Sequence, residues 1–162
     1  MPSASRRPLV LATLCAAAMA TLAGCDQPTP SVTVFSGTHS DHREAICWSA
    51  DADEAVDLKS DCSITLQSTE DFNERLLDIV AIIPTSPGDT VGISVDPAVA
   101  EHGWQVSING RSLTRDPVTE NYFRFAMPAQ ALRKGDAQLI VQALTSDGTA
   151  VRGSWIFGLS DN

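Results

Sequence analysis

The 162-residue chain sets 20 acidic residues against 11 basic ones, for a net charge of −9, and 43% of it is hydrophobic. That balance supports one folded domain and disfavours nucleic acid or anionic lipid head groups as partners. Four cysteines in so short a chain make the redox compartment the first question.

The N-terminus answers it. Arg6 and Arg7 precede an apolar run from Leu9 to Leu22, which closes on Leu22-Ala23-Gly24-Cys25. A basic n-region, a short apolar stretch and small residues before a cut form a secretory signal. The cysteine placed directly after Leu-Ala-Gly resembles the bacterial lipobox. That resemblance implies diacylglyceryl transfer to the Cys25 sulfur and cleavage before it. An ordinary signal peptide with a chance cysteine is the alternative. Ser5-Arg6-Arg7 also faintly resembles a twin-arginine signal. Cleavage would remove 24 residues of 162, leaving 138, and with them Arg6 and Arg7 but no acid, taking the charge from −9 to −11. With no polybasic patch to assist, attachment to the membrane would rest on the acyl chains.

Residues 25–31 read as a short tether, because Pro28 and Pro30 favour extended geometry. From residue 32 to 162 the pattern is that of one β-rich domain. Val32 and Val34 alternate with Thr33; Ile64 and Leu66 alternate with Ser63, Thr65 and Gln67. Val91, Ile93 and Val95 repeat the alternation, as do Trp104, Val106 and Ile108. Phe123, Phe125 and Met127 share a face opposite Tyr122 and Arg124. Leu139, Val141 and Ala143 follow, and Trp155, Phe157 and Leu159 close the chain. Period-2 burial is the mark of half-buried strands. Ser86-Pro87-Gly88-Asp89, Asn109-Gly110 and Ser146-Asp147-Gly148 supply the reversals. About seven strands of this kind predict an antiparallel immunoglobulin-like β-sandwich with Trp104 and Trp155 as core anchors. One short helix is expected over residues 69–77, where Phe72 and Leu76 fall at helical spacing behind Ser68 and Asp71, followed by a strand over 78–83.

With Cys15 in the signal segment and Cys25 at the lipid site, Cys47 and Cys62 remain, and outside the cytoplasm they are expected as a structural disulfide. No Cys-x-x-Cys redox motif is present. His39 and His42 are weak zinc or copper candidates, read as polar residues of an exposed loop between strands; His102 would have to supply a third ligand. Asp51, Asp53, Glu54, Asp57 and Asp61 crowd the loop between the two cysteines, but no glycine is there for a calcium turn, and a solvated acidic loop is the reading. No Gly-x-Ser-x-Gly and no His-Glu-x-x-His occurs.

The mature region resembles a family of small lipoproteins of high-GC Gram-positive bacteria, known as a domain of unknown function. The residues carrying this are Leu22 to Cys25, the Cys47/Cys62 pair, Pro87-Gly88-Asp89 entering Val91 to Val95, Trp104-Gln105-Val106, and Gly153-Ser154-Trp155. The resemblance implies an envelope location and an immunoglobulin-like sandwich, and brings no activity. The expectation is a non-enzymatic lipoprotein on the outer face of the cell membrane, without a cofactor, binding an envelope protein or a cell-wall component. A metal-handling lipoprotein using His39 and His42 is one alternative, and an envelope hydrolase with an unrecognised site is another.

Overall fold

A computed structural model describes residues 28–58, 60, 62, 81–133 and 136–161. The expected lipid site Cys25, the strand expected around Ile64 and Leu66, and the helix expected over 69–77 lie outside these residues. The strands are β1 (Ser31–Ser36), β2 (His39–Glu44), β3 (Cys47–Trp48), β4 (Ala81–Pro84), β5 (Thr90–Val95), β6 (Trp104–Ile108), β7 (Arg111–Ser112), β8 (Tyr122–Ala126), β9 (Ala137–Leu144) and β10 (Val151–Ser160). One helical turn, α1 (Pro97–Ala100), follows β5.

They form an antiparallel β-sandwich. One sheet has the order β2-β1-β5-β8, and the other runs β3-β10-β9-β6-β7. β4 lies along the C-terminal half of β10 and is the parallel exception. The apolar residues at alternate positions of β1, β5, β6, β9 and β10 meet between the sheets. Val32, Val34, Val91, Ile93, Trp104, Val106, Leu139, Val141, Trp155, Phe157 and Leu159 are all fully buried there. Each such side chain contributes about 1.5–3 kcal/mol by leaving water. The two central indoles also satisfy their N–H groups: Trp104 donates to the Glu120 carbonyl at 2.9 Å and Trp155 to the Pro30 carbonyl at 3.2 Å. A buried hydroxyl pair joins the sheets, Ser36 donating to Thr85 at 3.0 Å.

The expected reversals are present. Asn109 (φ 49°) and Gly110 (φ 75°) link β6 to β7, the left-handed pair that a two-residue hairpin requires. Asn109 is held by its own side chain, which donates to the Ala131 carbonyl and accepts from the Gln138 N–H, both at 2.9 Å. One reading needs correction. The His39–Glu44 segment is not a loop between strands but the edge strand β2, paired along its whole length with β1. Ten strands are seen among the described residues, where the alternation marks about seven, and the mainly β antiparallel sandwich stands. A helical turn not expected from the sequence pattern stands at Pro97–Ala100, where proline occupies the first turn and Asp96 precedes it.

Candidate ligand-binding face

Pairing register decides what each strand shows to solvent. On the four-stranded sheet, Val34 and Ile93 face the core, so Phe35, Gly92 and Arg124 form one outward row (Phe35 opposite Gly92, Gly92 opposite Arg124). The adjacent outward row is His42, Thr33, Ser94 and Tyr122. Ser40 and Thr90 also lie on this face, and Glu44 is at its far corner on β2.

The central feature is built on a glycine. A methyl group placed on Gly92 would meet three atoms of the Phe35 ring at 2.3, 2.5 and 2.8 Å. The ring therefore lies flat across the β5 backbone in the space a side chain would fill. From there it reaches Tyr122 on β8, with ring centroids 6.1 Å apart and planes inclined by only 12°. Phe35 is half-buried, while Tyr122 is 47% exposed, an unusual exposure for so large a ring. Two nearly parallel rings from non-adjacent strands thus make an aromatic surface on the sandwich. Its rim is polar: Ser94 beside Tyr122, Thr33 one strand beyond, and exposed Arg124, which makes no ion pair among the described residues.

The other residues singled out from sequence behave differently. His39 and His42 are three apart on β2, so the strand sends them to opposite faces and cannot aim both at one ion. His42 instead shares a 3.0 Å hydrogen bond with Thr33, its partner directly across β1. His102 follows α1 and lies 3.8 Å from Glu101. Among the described residues no group of three or more His, Cys, Asp or Glu side chains is placed to hold a metal ion. The acidic loop bonds to itself and to its neighbour turn: Asp51 accepts from the Asp53 N–H at 2.9 Å, Glu54 from Ser49 at 3.1 Å, and Asp53 from Ser146.

Cys47 and Cys62 are joined as a disulfide with Cα atoms 5.0 Å apart. Beside it, Trp48 covers Gly153 much as Phe35 covers Gly92, since a methyl there would sit 2.4 Å from the indole. This second aromatic has a structural use. A bulge between Val151 and Gly153 turns Arg152 toward it, and the guanidinium lies 4.3 Å from the Trp48 ring centre. The same buried guanidinium donates to the carbonyls of Ser49 at 3.0 Å and Ala50 at 3.3 Å, clamping the start of the acidic loop. A cleft of about 360 Å³ beside it is lined by Trp48, Ser49, Glu54 and Val56; another of about 290 Å³ is lined by Arg43, Glu44, Ile46 and Ile156.

Asp147, in the β9–β10 turn, has its carboxyl pulled well below the ordinary value, to about 2. The Thr145 hydroxyl is the main cause, followed by the N–H and hydroxyl of Thr149. At 2.6, 3.0 and 2.7 Å these donors favour the charged form, and they shape the turn rather than a site.

Sequence reasoning did not find the Phe35–Gly92–Tyr122 cluster. The signals were there: Phe35 falls out of phase with Val32 and Val34, and Tyr122 lies opposite Phe123 and Phe125. Gly92 interrupts a strand, which marks close approach by another group. No family model and no curated protein matches this chain.

Proposed function

We propose that this protein is a non-catalytic binding module, held on the outer face of a cell membrane through a lipid on Cys25, which recognises an envelope component. The observation carrying the reading is the Phe35–Tyr122 surface over Gly92, rimmed by hydroxyls and Arg124. Large aromatic rings left in water on a regular sheet face contribute little to the fold, whereas rings of this kind dominate recognition surfaces. The Leu22-to-Cys25 lipobox resemblance supports the location, as does the resemblance to small lipoproteins of high-GC Gram-positive bacteria. The seven residues from Cys25 to Ser31 span six Cα steps and reach at most roughly 20 Å, so ligands would be met close to the bilayer.

The test places a photo-crosslinking amino acid at position 94, on the outer face of the four-stranded sheet, or at position 142, on the outer face of the other sheet. Irradiation of cells carrying the anchored protein should give discrete adducts from position 94 and few from position 142. Adducts from position 142 alone would move the binding face, and none from either position would remove the module reading.

A further inference from the structure

Resting on that reading of the outer face, we propose that Phe35, Tyr122 and Arg124 form a subsite for an oligosaccharide of equatorially linked pyranose rings bearing carboxylate groups.

Equatorially substituted pyranoses present flat C–H faces, which pack on aromatic rings, and hydroxyl edges, which need hydrogen-bonding partners. The two rings, 6.1 Å apart and inclined by 12°, offer adjoining surfaces for successive sugar units. Ser94 neighbours Tyr122 in its row and Thr33 lies one strand beyond, its hydroxyl sharing a hydrogen bond with His42. An apolar peptide would want aliphatic pockets, but Ala126 is the largest aliphatic side chain in the outward rows of β1, β5 and β8. A single-stranded nucleic acid also stacks on aromatic rings, yet it carries a phosphate at every nucleotide. That is more charge than the single Arg124 on the outward rows of β1, β5 and β8 can match on a chain of net charge −9, whereas one carboxylate to every second sugar needs only that cation.

Charge selects among saccharides. Arg124 stands directly opposite Gly92, beside the Phe35 ring that covers it, and makes no ion pair among the described residues. The guanidinium fork matches a carboxylate in geometry and charge. Glu44, the acid on the outward rows of β2, is separated from β8 by the two strands β1 and β5. A cation with no ion pair among the described residues, next to an aromatic surface, complements an acidic sugar better than a neutral one. Covering Gly92 would by itself explain Phe35 as a device of sheet packing, but it requires nothing of Tyr122, which stays 47% exposed.

The exported Cys25→Ala protein, free of lipid, would be titrated by calorimetry with a tetrasaccharide of alternating N-acetylglucosamine and N-acetylmuramic acid. Chitotetraose, which lacks the carboxylates, is the counterpart. Saturable binding is expected, tighter for the first. Tyr122→Ala should weaken both by about tenfold, equivalent to about 1.4 kcal/mol, in a protein that stays folded with a melting temperature lowered by only a few degrees. Tyr122→Phe should restore binding, and Arg124→Gln should abolish the preference between the two sugars. Absence of saturable binding at millimolar sugar, or binding indifferent to Tyr122→Ala, would overturn the subsite. Equal binding of both sugars by the parent would overturn the role of Arg124. If the sugars fail while position 94 still yields adducts in cells, the binding face stands and its ligand is not a saccharide.

Discussion

Replacing Gly92 with alanine separates the aromatic surface from the fold that carries it. The new methyl would lie 2.3 Å from the Phe35 Cζ atom, against the ~3.5–4.0 Å of a comfortable carbon contact, so the ring must retreat by more than about 1 Å. Phe35 is half-buried and can turn toward solvent without disturbing Val32 or Val34, which point the other way. Lifting it exposes roughly 50 Å² of ring and backbone, worth about 1.3 kcal/mol. Losing the contact with Tyr122 costs about 0.5–1.5 kcal/mol more. Against this, alanine at an extended position recovers about 0.4–1 kcal/mol through the unfolded chain. The net expectation is a loss of about 1–2 kcal/mol, a fall in Tm of roughly 3–8 °C. Thermal and urea unfolding would read the stability, and NMR contacts between the Phe35 and Tyr122 rings would read the geometry. A variant that keeps both its stability and the ring contacts refutes the reasoning. So does a loss above about 4 kcal/mol, which would mean that the ring cannot swing clear.

Other elements yield further expectations. Arg152→Met removes two charge-assisted bonds to backbone carbonyls and the contact with Trp48, and should cost about 3 kcal/mol in urea unfolding; Arg152→Lys, without the fork, should recover less than half. Reduction of the Cys47–Cys62 bond, which spans 15 residues, should lower stability by about 3 kcal/mol, read as a shift in urea midpoint with and without reductant. Because the folded-state pKa of Asp147 is depressed to about 2, its contribution is present above its ordinary value of 3.8 and is lost as pH falls through about 2. Asp147→Asn should therefore be less stable than the parent near neutrality, with the difference shrinking as pH falls from about 4 to about 2 in a series of urea midpoints.

The strands that face water on one side were legible, because burial between two sheets imposes period-2 alternation on β1, β5, β6, β8, β9 and β10. β2 was not. As an edge strand bearing His39, Asp41, His42, Arg43 and Glu44 it is polar on both faces, which leaves no alternation and guards the sheet edge against further pairing. β3 and β7, at two residues each, are too short for any periodicity. The Asp96-Pro97 step announces a helix start, but four residues cannot complete a helical repeat. The aromatic face was hidden for another reason. Phe35, Gly92 and Tyr122 are distant in sequence, and only the registers of β1 with β5 and of β5 with β8 bring them together. The second glycine–aromatic pair, Gly153 under Trp48, depends on register in the same way.

The most direct test of the account is whether the outer face of the four-stranded sheet holds the protein to the envelope when the lipid does not. Fluorescently labelled Cys25→Ala protein would be titrated onto isolated envelopes of the cells that make it, alongside the same protein carrying Tyr122→Ala. Saturable binding by the first and a loss of about tenfold in affinity by the second is the predicted result. Equal saturable binding by both would contradict the claim that this face is where the ligand sits.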